Sequence, residues 1–327
     1  MKLIQNIAIP TGNILIGETT RGKLEFLSIG DYGQSVNLNQ HKKVEHGPLQ
    51  PLEEKWVITI STQYGCSMGC KFCDVPKVGS GRNASYQDMM GEIRGAMSLH
   101  PEVEYSERLN VHFARMGEPS WNPDVLGVAY ALSDFSDFSD FSDFRVHPVV
   151  STMMPRANKH LEAFLGMWMH IKNEVYGGNA GLQLSINSTD AQERREMFNW
   201  NSMELEEIAN LVWRSPAPKG RKITLNFAVA GYKIDAPYLA ALFDPDHFIV
   251  KLTPMHKTNS ALANGIQTVG DYTESYPYDQ HEADLKAAGF EVLVFIASKE
   301  EDLGLITCGN AVLSGRLPEV PYTLTNL

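Results

Sequence analysis

Long apolar runs, cysteine and positive charge are all scarce in this chain. No stretch reaches the roughly 18 uninterrupted apolar residues of a membrane helix, and the opening MKLIQNIAIPTGN lacks the apolar core of a signal peptide. Both absences predict a cytoplasmic protein with no membrane partner. Lys and Arg number 28 against 39 Asp and Glu, a formal net charge of −11, which argues against a protein that coats phosphate backbones unselectively. Four cysteines in 327 residues are too few for a disulfide framework, and three of them, Cys66, Cys70 and Cys73, crowd into one short segment. That crowding points to metal.

The chain is long enough for one large α/β barrel or two ordinary domains, and a hydrophobic fraction of 43% supports a packed core. From Trp56 onward β-rich runs alternate with helical ones, the pattern of parallel strands joined by helices. The strands are expected at Trp56–Ser61, Leu109–Arg115, Val146–Thr152, Gly181–Asn187, Ile223–Val229, His247–Thr253 and Glu291–Ala297. Helices are expected at Tyr86–Leu99, Asp124–Leu132, Ala157–Ile171, Ser202–Val212, Ala236–Leu242 and Gln280–Ala288. About six such units curl into an open (β/α) barrel whose reactive residues sit at the C-terminal strand ends. Residues 1–55, with Gly-punctuated runs such as NILIGE and GKLEFLSIG, read as a β-hairpin extension. Residues 56–312 form the barrel and 313–327 a tail. The repeat SDFSDFSDFSDF, Ser133 to Phe144, reads as an expanded surface segment, and Gly265–Tyr278 as a long loop over the barrel mouth.

The segment TQYGCSMGCKFCDVPKVGSG places C-x-x-x-C-x-x-C in a Gly-rich loop directly after the first parallel strand. Three thiolates can hold three irons of a [4Fe-4S] cluster and leave the fourth open to another ligand. S-adenosylmethionine (SAM) fits that place through its amino and carboxylate groups, and an electron from the cluster then cleaves it to a 5′-deoxyadenosyl radical. Zinc is the competing metal, but structural zinc sites usually pair two C-x-x-C units and there is no second pair. Phe72 resembles the aromatic residue that radical SAM enzymes set beside the adenine. Met116-Gly117-Glu118-Pro119 follows the strand RLNVHFAR. Gly117 there lets backbone approach a ligand, Glu118 accepts hydrogen bonds from an ammonium, and Pro119 fixes the turn.

Five motifs in this order resemble the RlmN/Cfr-type radical SAM methyltransferases, which modify an adenine of ribosomal RNA. They are STQYGCSMGCKFC at Ser61–Cys73, MGEP at Met116–Pro119, VVST at Val149–Thr152, LSIN at Leu184–Asn187 and ITCGN at Ile306–Asn310. The resemblance implies an α/β fold, a partial (β/α)6 radical SAM barrel, with SAM and a reducing electron donor such as flavodoxin or ferredoxin as partners. It also implies SAM contacts at Ser151, Ser185 and Asn187, with His256 where the family carries an asparagine. Cys308 falls on the cysteine that accepts a methyl group from SAM and carries it to substrate. Glu45 resembles a glutamate that assists proton transfer.

Two features depart from that pattern. Thr59 stands seven residues before Cys66, where the family has a second cysteine that helps release product, and a hydroxyl replaces poorly a thiol of pKa near ~8.5. The helical RNA-binding domain of the bacterial housekeeping enzymes has no counterpart in residues 1–55. Candidate nucleic-acid contacts are Lys71, Lys77, Arg82, Arg156, Lys159, Arg194, Arg195, Lys219, Arg221 and Lys222. The leading expectation is methylation of adenine or a related heterocycle in RNA. Direct hydrogen abstraction from a small molecule, nucleotide or peptide is the alternative, and a non-catalytic iron–sulfur or zinc protein is a third.

Overall fold

The computed structural model describes residues 1–32, 36–38, 44–133, 143–266, 278–307, 309–320 and 324–325, with the side chains of 36–38, 44–46, 143 and 324–325 left aside. Strands β1 (Lys2–Ile9), β2 (Gly12–Thr19) and β3 (Gly22–Ile29) form an antiparallel meander. Two short ladders follow, β4 (Val36–Leu38) with β5 (Val44–His46), and, after β6 (Trp56–Ile60), β7 (Gln63–Gly65) with β8 (Ser80–Asn83). The remaining strands are β9 (Tyr105–Phe113), β10 (Asp143–Thr152), β11 (Gly181–Ser185), β12 (Ile223–Val229), β13 (Phe248–Pro254), β14 (Glu291–Val294) and β15 (Leu324–Thr325).

The architecture is α/β around one mixed sheet in the order β14-β13-β12-β11-β10-β9-β6-β3-β2-β1-β15. Strands β6 and β9 to β14 run parallel to one another. β3 pairs antiparallel with β6, Leu27 opposite Thr59, so the meander continues the same sheet. β15, from the tail, closes the far edge against β1. Helices cross between the parallel strands: α1 (Tyr86–Met97), α2 (Asp124–Ala131), α3 (Leu161–His170), α4 (Ala191–Met197), α5 (Leu205–Trp213), α6 (Ala236–Leu242), α7 (Asn259–Ala263) and α8 (Tyr278–Ala287). The short α9 (Lys299–Leu303) follows β14.

Each expected strand and helix has a counterpart, Ile223–Val229 and Ala236–Leu242 with the expected bounds and the others with shifted ends. The third helix begins at Leu161 because Asn158 caps a turn, its Oδ1 accepting the His160 amide at 3.0 Å. That helix runs on into a π turn, Ile171–Val175, where buried Lys172 donates to the Gly178 carbonyl at 3.2 Å. Helix α4 was not anticipated, since its sequence AQERREM has almost no apolar stripe. The start of α1 is explicit: Ser85 and Asp88 form a reciprocal capping box, which satisfies two amides of the first turn.

Alternation along the parallel strands sets two faces. Ile60, Phe113, Val150, Leu182, Leu184, Leu225 and Val250 are buried beneath the helices in the main core. The meander buries both of its faces. Leu24 and Phe26 pack with α1, whereas Ile7, Ile14, Ile16, Leu27 and Ile29 meet Leu305, Ile306, Val312 and Val320 from the C-terminal segment. Most of the expected loop at Gly265–Tyr278, residues 267–277, and most of the SDF repeat lie outside the described residues. The last two residues of the repeat, Asp143 and Phe144, open β10.

Candidate active site at the strand ends

The cysteine loop leaves β6 through the β7–β8 ladder, which closes its base with the Cys66 amide donating to the Gly79 carbonyl at 3.0 Å. Gly65 must lack a side chain there: its φ is +81°, and a Cβ would lie 2.1 Å from the Gly79 carbonyl oxygen. Beyond the ladder, long-range hydrogen bonds hold the loop to the ends of other units. The Lys71 amide donates to Met197 at 2.9 Å, Asn201 Nδ2 to Met68 at 2.8 Å, Asn264 Nδ2 to Lys71 at 2.9 Å, and Thr258 Oγ1 to Phe72 at 2.6 Å. Asp74, buried, accepts from the Ser260 amide and hydroxyl, the Asn259 amide and Lys77 Nζ. Burial alone would raise its pKa, but the Lys77 and Ser260 hydrogen bonds outweigh it and hold the carboxyl below its ordinary value. Met68, Cys70 and Phe72 pack with Met197, Phe198 and Met255, so the loop has an apolar inner side.

The next strand end is tied to this loop. Gly117 has φ +102° and a Cβ there would lie 2.6 Å from Gln63 Cβ, so only glycine lets the β9 turn approach the strand that enters the cysteine loop. Gln63 Oε1 in turn accepts the Glu118 amide at 2.9 Å. The Glu118 carboxylate is fully buried and accepts from Thr152 Oγ1 at 2.6 Å, the Met153 amide at 2.8 Å and the Ser120 amide at 3.0 Å. Burial raises its pKa despite those hydrogen bonds. Its role in the fold is therefore to bind the end of β9 to the end of β10, with Pro119 opening the short 3-10 turn Pro119–Trp121.

Residues paired in register across parallel strands share a face, and the face opposite the helices is polar. Thr59 pairs with His112, Ser151 with Gln183, Ser185 with Asn226, and Asn226 with Lys251. Ser151 and Ser185 make no side-chain hydrogen bond among the described residues. Asn187, two residues past Ser185, adopts φ +60° and accepts the Ala228 amide on Oδ1 at 2.9 Å. His256 Nδ1 stands 2.9 Å from Asp302 Oδ1. Burial, then Arg221, Lys251, Lys55 and Arg108, push the His112 pKa down to about 3, so that imidazole is neutral.

An unanticipated pair governs the C-terminal segment. Arg115, just past β9, forms a buried ion pair with Glu25 of β3. It also donates to the carbonyls of Leu305 at 2.9 Å, Ile306 at 3.1 Å and Thr307 at 3.4 Å. Glu25 Oε2 accepts the Leu313 amide at 3.0 Å, and the Gly309 carbonyl accepts the Asp74 amide at 2.8 Å. The segment is thus gripped on both sides of position 308, and Gly309 lies against the Phe72 and Cys73 backbone. Cys308 itself lies outside the described residues, as does the side chain of Glu45, whose backbone belongs to β5.

Several expected nucleic-acid contacts are otherwise engaged. Arg194 is buried and donates to the Ile186 carbonyl and to Ser202 Oγ. Arg156 and Arg195 share Glu204, Lys219 pairs with Glu174, and Lys77 pairs with Asp74.

Among the described residues no three His, Cys, Asp or Glu side chains stand close enough to hold a metal as they are. The donor set nevertheless fits a cluster. Cys66, Cys70 and Cys73 share one loop, none is in a disulfide, and their surroundings are apolar. Asn310, at the same end of the molecule, is buried with Oδ1 lacking a hydrogen-bond donor among the described residues.

No family model matches the chain. It is 26% identical over 272 residues to the dual-specificity RNA methyltransferase RlmN of Sorangium cellulosum, covering 81% of this chain and 64% of that one. It is 28% identical over 267 residues to the RlmN of Desulfosudis oleivorans, covering 80% and 59%. The chain therefore spans somewhat less than two thirds of these relatives' length. A radical SAM methyltransferase from Sphaerobacter thermophilus shares the fold, with a TM-score of 0.59, 17% identity, and coverage of 91% of this chain and 76% of that one. With the fold and the cysteine loop, these likenesses make the chain a member of the radical SAM superfamily. Within it, the chain is distantly related to RlmN-like methyltransferases. Among the described residues no helix is long and apolar enough to cross a membrane.

Proposed function

We propose that residues 56–312 form a partial (β/α)6 radical SAM barrel that methylates an adenine or related heterocycle in RNA, with Cys308 as the methyl carrier. Cys66, Cys70 and Cys73 are the ligands of a [4Fe-4S] cluster. When bound, that cluster supplies the electron that cleaves SAM to a 5′-deoxyadenosyl radical. The remaining roles belong to side chains already described. Phe72 lies on the loop beside the adenine of SAM, Ser151 and Ser185 offer hydroxyls on the polar face, and Asn187 shapes the end of β11. His256 stands at the rim. Gly117, Glu118 and Pro119 set the turn against which SAM lies.

The observation that carries this reading is the double tie on the C-terminal segment. Arg115 holds residues 305–307 and the Gly309 carbonyl accepts the Asp74 amide, so the described neighbours of position 308 on both sides are held, Gly309 against the loop of the cluster ligands. A thiolate there takes a methyl group from SAM and presents it to substrate. Mass spectrometry of the Cys308 peptide, from protein made without oxygen, tests this. An S-methyl or S-methylene adduct is expected, and its loss in a Cys66, Cys70 and Cys73 variant would tie it to the cluster.

A second reading is direct hydrogen abstraction from a small molecule, nucleotide or peptide without methyl transfer. Thr59 favours it. That residue sits on the polar face, in register with His112, and offers a hydroxyl where the related enzymes use a thiol. An unmodified Cys308 in protein that cleaves SAM would support this second reading over the first, whereas methyl transfer retained in Cys308→Ala would overturn Cys308 as the carrier.

A further inference from the structure

Behind the cysteine loop lies a concave notch of about 540 Å³, lined by Arg21, Lys23, Tyr64, Gly79, Ser80 and Arg82 among others. Its cations come from two distant parts of the chain, the β2–β3 hairpin (Arg21 in the turn, Lys23 in β3) and β8. The Tyr64 ring is fixed by a 2.6 Å hydrogen bond from its hydroxyl to Thr19 Oγ1. The guanidinium carbons of Arg21 and Arg82 stand 5.8 and 5.1 Å from that ring's centre, and Arg82 also donates to the Arg21 carbonyl. These contacts hold the charges in place before any partner arrives. Asp88, 3.5 Å from Arg21, and Glu18, opposite Lys23 in register, are the nearby carboxylates, and neither lines the notch.

We propose that this notch is the docking surface for a small acidic electron-transfer protein that reduces the cluster. The inference rests on the reading that Cys66, Cys70 and Cys73 hold a redox cluster. Position favours it: Gly79, in the notch wall, accepts the Cys66 amide at 3.0 Å, so a bound donor reaches the ligand loop through one hydrogen bond. The opposite side of the loop, with Met68, Cys70 and Phe72, turns toward Met197, Phe198 and Met255. A donor seated behind the loop therefore leaves the polar sheet face open to SAM and substrate. Charge favours it too, because three clustered cations on a chain of net charge −11 select and steer an acidic partner. A phosphate backbone would meet the same cations. Among the described residues, Arg156, Arg195 and Lys219, which could extend a track for it, are committed to Glu204 and Glu174. In the step itself one electron leaves the donor, which is oxidised by one electron, and the cluster is reduced by one. No bond or proton changes at the notch.

The test uses the full chain, reconstituted with iron and sulfide, and oxidised flavodoxin as the acidic probe. Calorimetric binding is expected for the wild type and should weaken at least about tenfold in an Arg21→Glu, Lys23→Glu, Arg82→Glu triple variant. 5′-Deoxyadenosine formation driven by flavodoxin should fall by a similar factor in that variant, while formation driven by dithionite stays at the wild-type rate. No binding by the wild type, binding unchanged in the triple variant, or loss of affinity only for an RNA oligonucleotide overturns the proposal. Failure of the wild type to cleave SAM with dithionite would instead sink the radical SAM reading, and the binding arm decides the docking surface independently.

Discussion

Strands β9 to β13 present Phe113, Val150, Leu184, Leu225 and Val250 to the helices, and Thr59 of β6 with His112, Ser151, Gln183, Asn226 and Lys251 to the other side. The same backbone ladders carry both sets. The first set is buried and supplies the apolar burial that drives folding, at about 25 cal/mol per Å². The second is polar, half-buried for the most part, and free of that duty. A parallel sheet covered on both faces would read as unbroken apolar runs. Here the face opposite the helices carries largely polar residues at alternate positions, so the two faces differ in what they contribute to burial.

Substitutions on the two sides should therefore separate stability from activity. The largest effect is expected at the cysteine loop, where Cys66→Ala, Cys70→Ala and Cys73→Ala together abolish 5′-deoxyadenosine formation while urea unfolding of the metal-free protein shifts by no more than about 1 kcal/mol. A collapse of the metal-free fold would instead make the loop part of the core.

Arg115→Met leaves the Glu25 carboxylate buried without its cation and should cost about 3–5 kcal/mol in urea unfolding. It should also speed amide exchange in residues 305–307, which lose their side-chain donor. Exchange at wild-type rates there would mean that Arg115 does not hold the segment. On the helix-covered face, Phe113→Ala should cost about 3–5 kcal/mol by the same measurement. A loss of under about 1 kcal/mol would contradict the division between the two faces.

A pH effect follows from Glu92 of α1, which is fully buried with Oε1 accepting the Ser61 amide at 3.2 Å and Oε2 unpartnered among the described residues. Burial raises its pKa well above the ordinary value. The folded state therefore holds this proton more tightly than the unfolded chain. Its contribution is complete below the unfolded pKa of about 4.3 and is lost as pH rises through the higher folded value. Glu92→Gln should accordingly flatten the fall in melting temperature between mildly acidic and alkaline pH, and equal slopes for the two proteins would exclude the effect. The smallest change is expected on the polar face, where Gln183→Ala should alter stability by about 0.5 kcal/mol or less. A SAM-binding measurement on that variant would show whether the face also touches ligand.

The sequence by itself determined what depends on near neighbours. The β-rich runs alternating with helical ones located the seven parallel strands, though not all of their ends. Three cysteines close together in one loop named a metal chemistry without any tertiary information. Contacts between distant parts of the chain were decided only by the tertiary structure. Glu25 and Arg115 are 90 residues apart, and Arg115 and Leu305 are 190 apart, so no local pattern could link them. Glu118 was expected to accept hydrogen bonds from a ligand's ammonium, and only the packing shows that its carboxylate also accepts from Thr152, Met153 and Ser120. The notch is similarly assembled from Arg21 and Arg82, which meet only because the β2–β3 turn and β8 flank one tyrosine ring. Sequence pattern reports periodicity and spacing over a few residues, whereas burial and charge pairing depend on which surfaces the folded chain brings together.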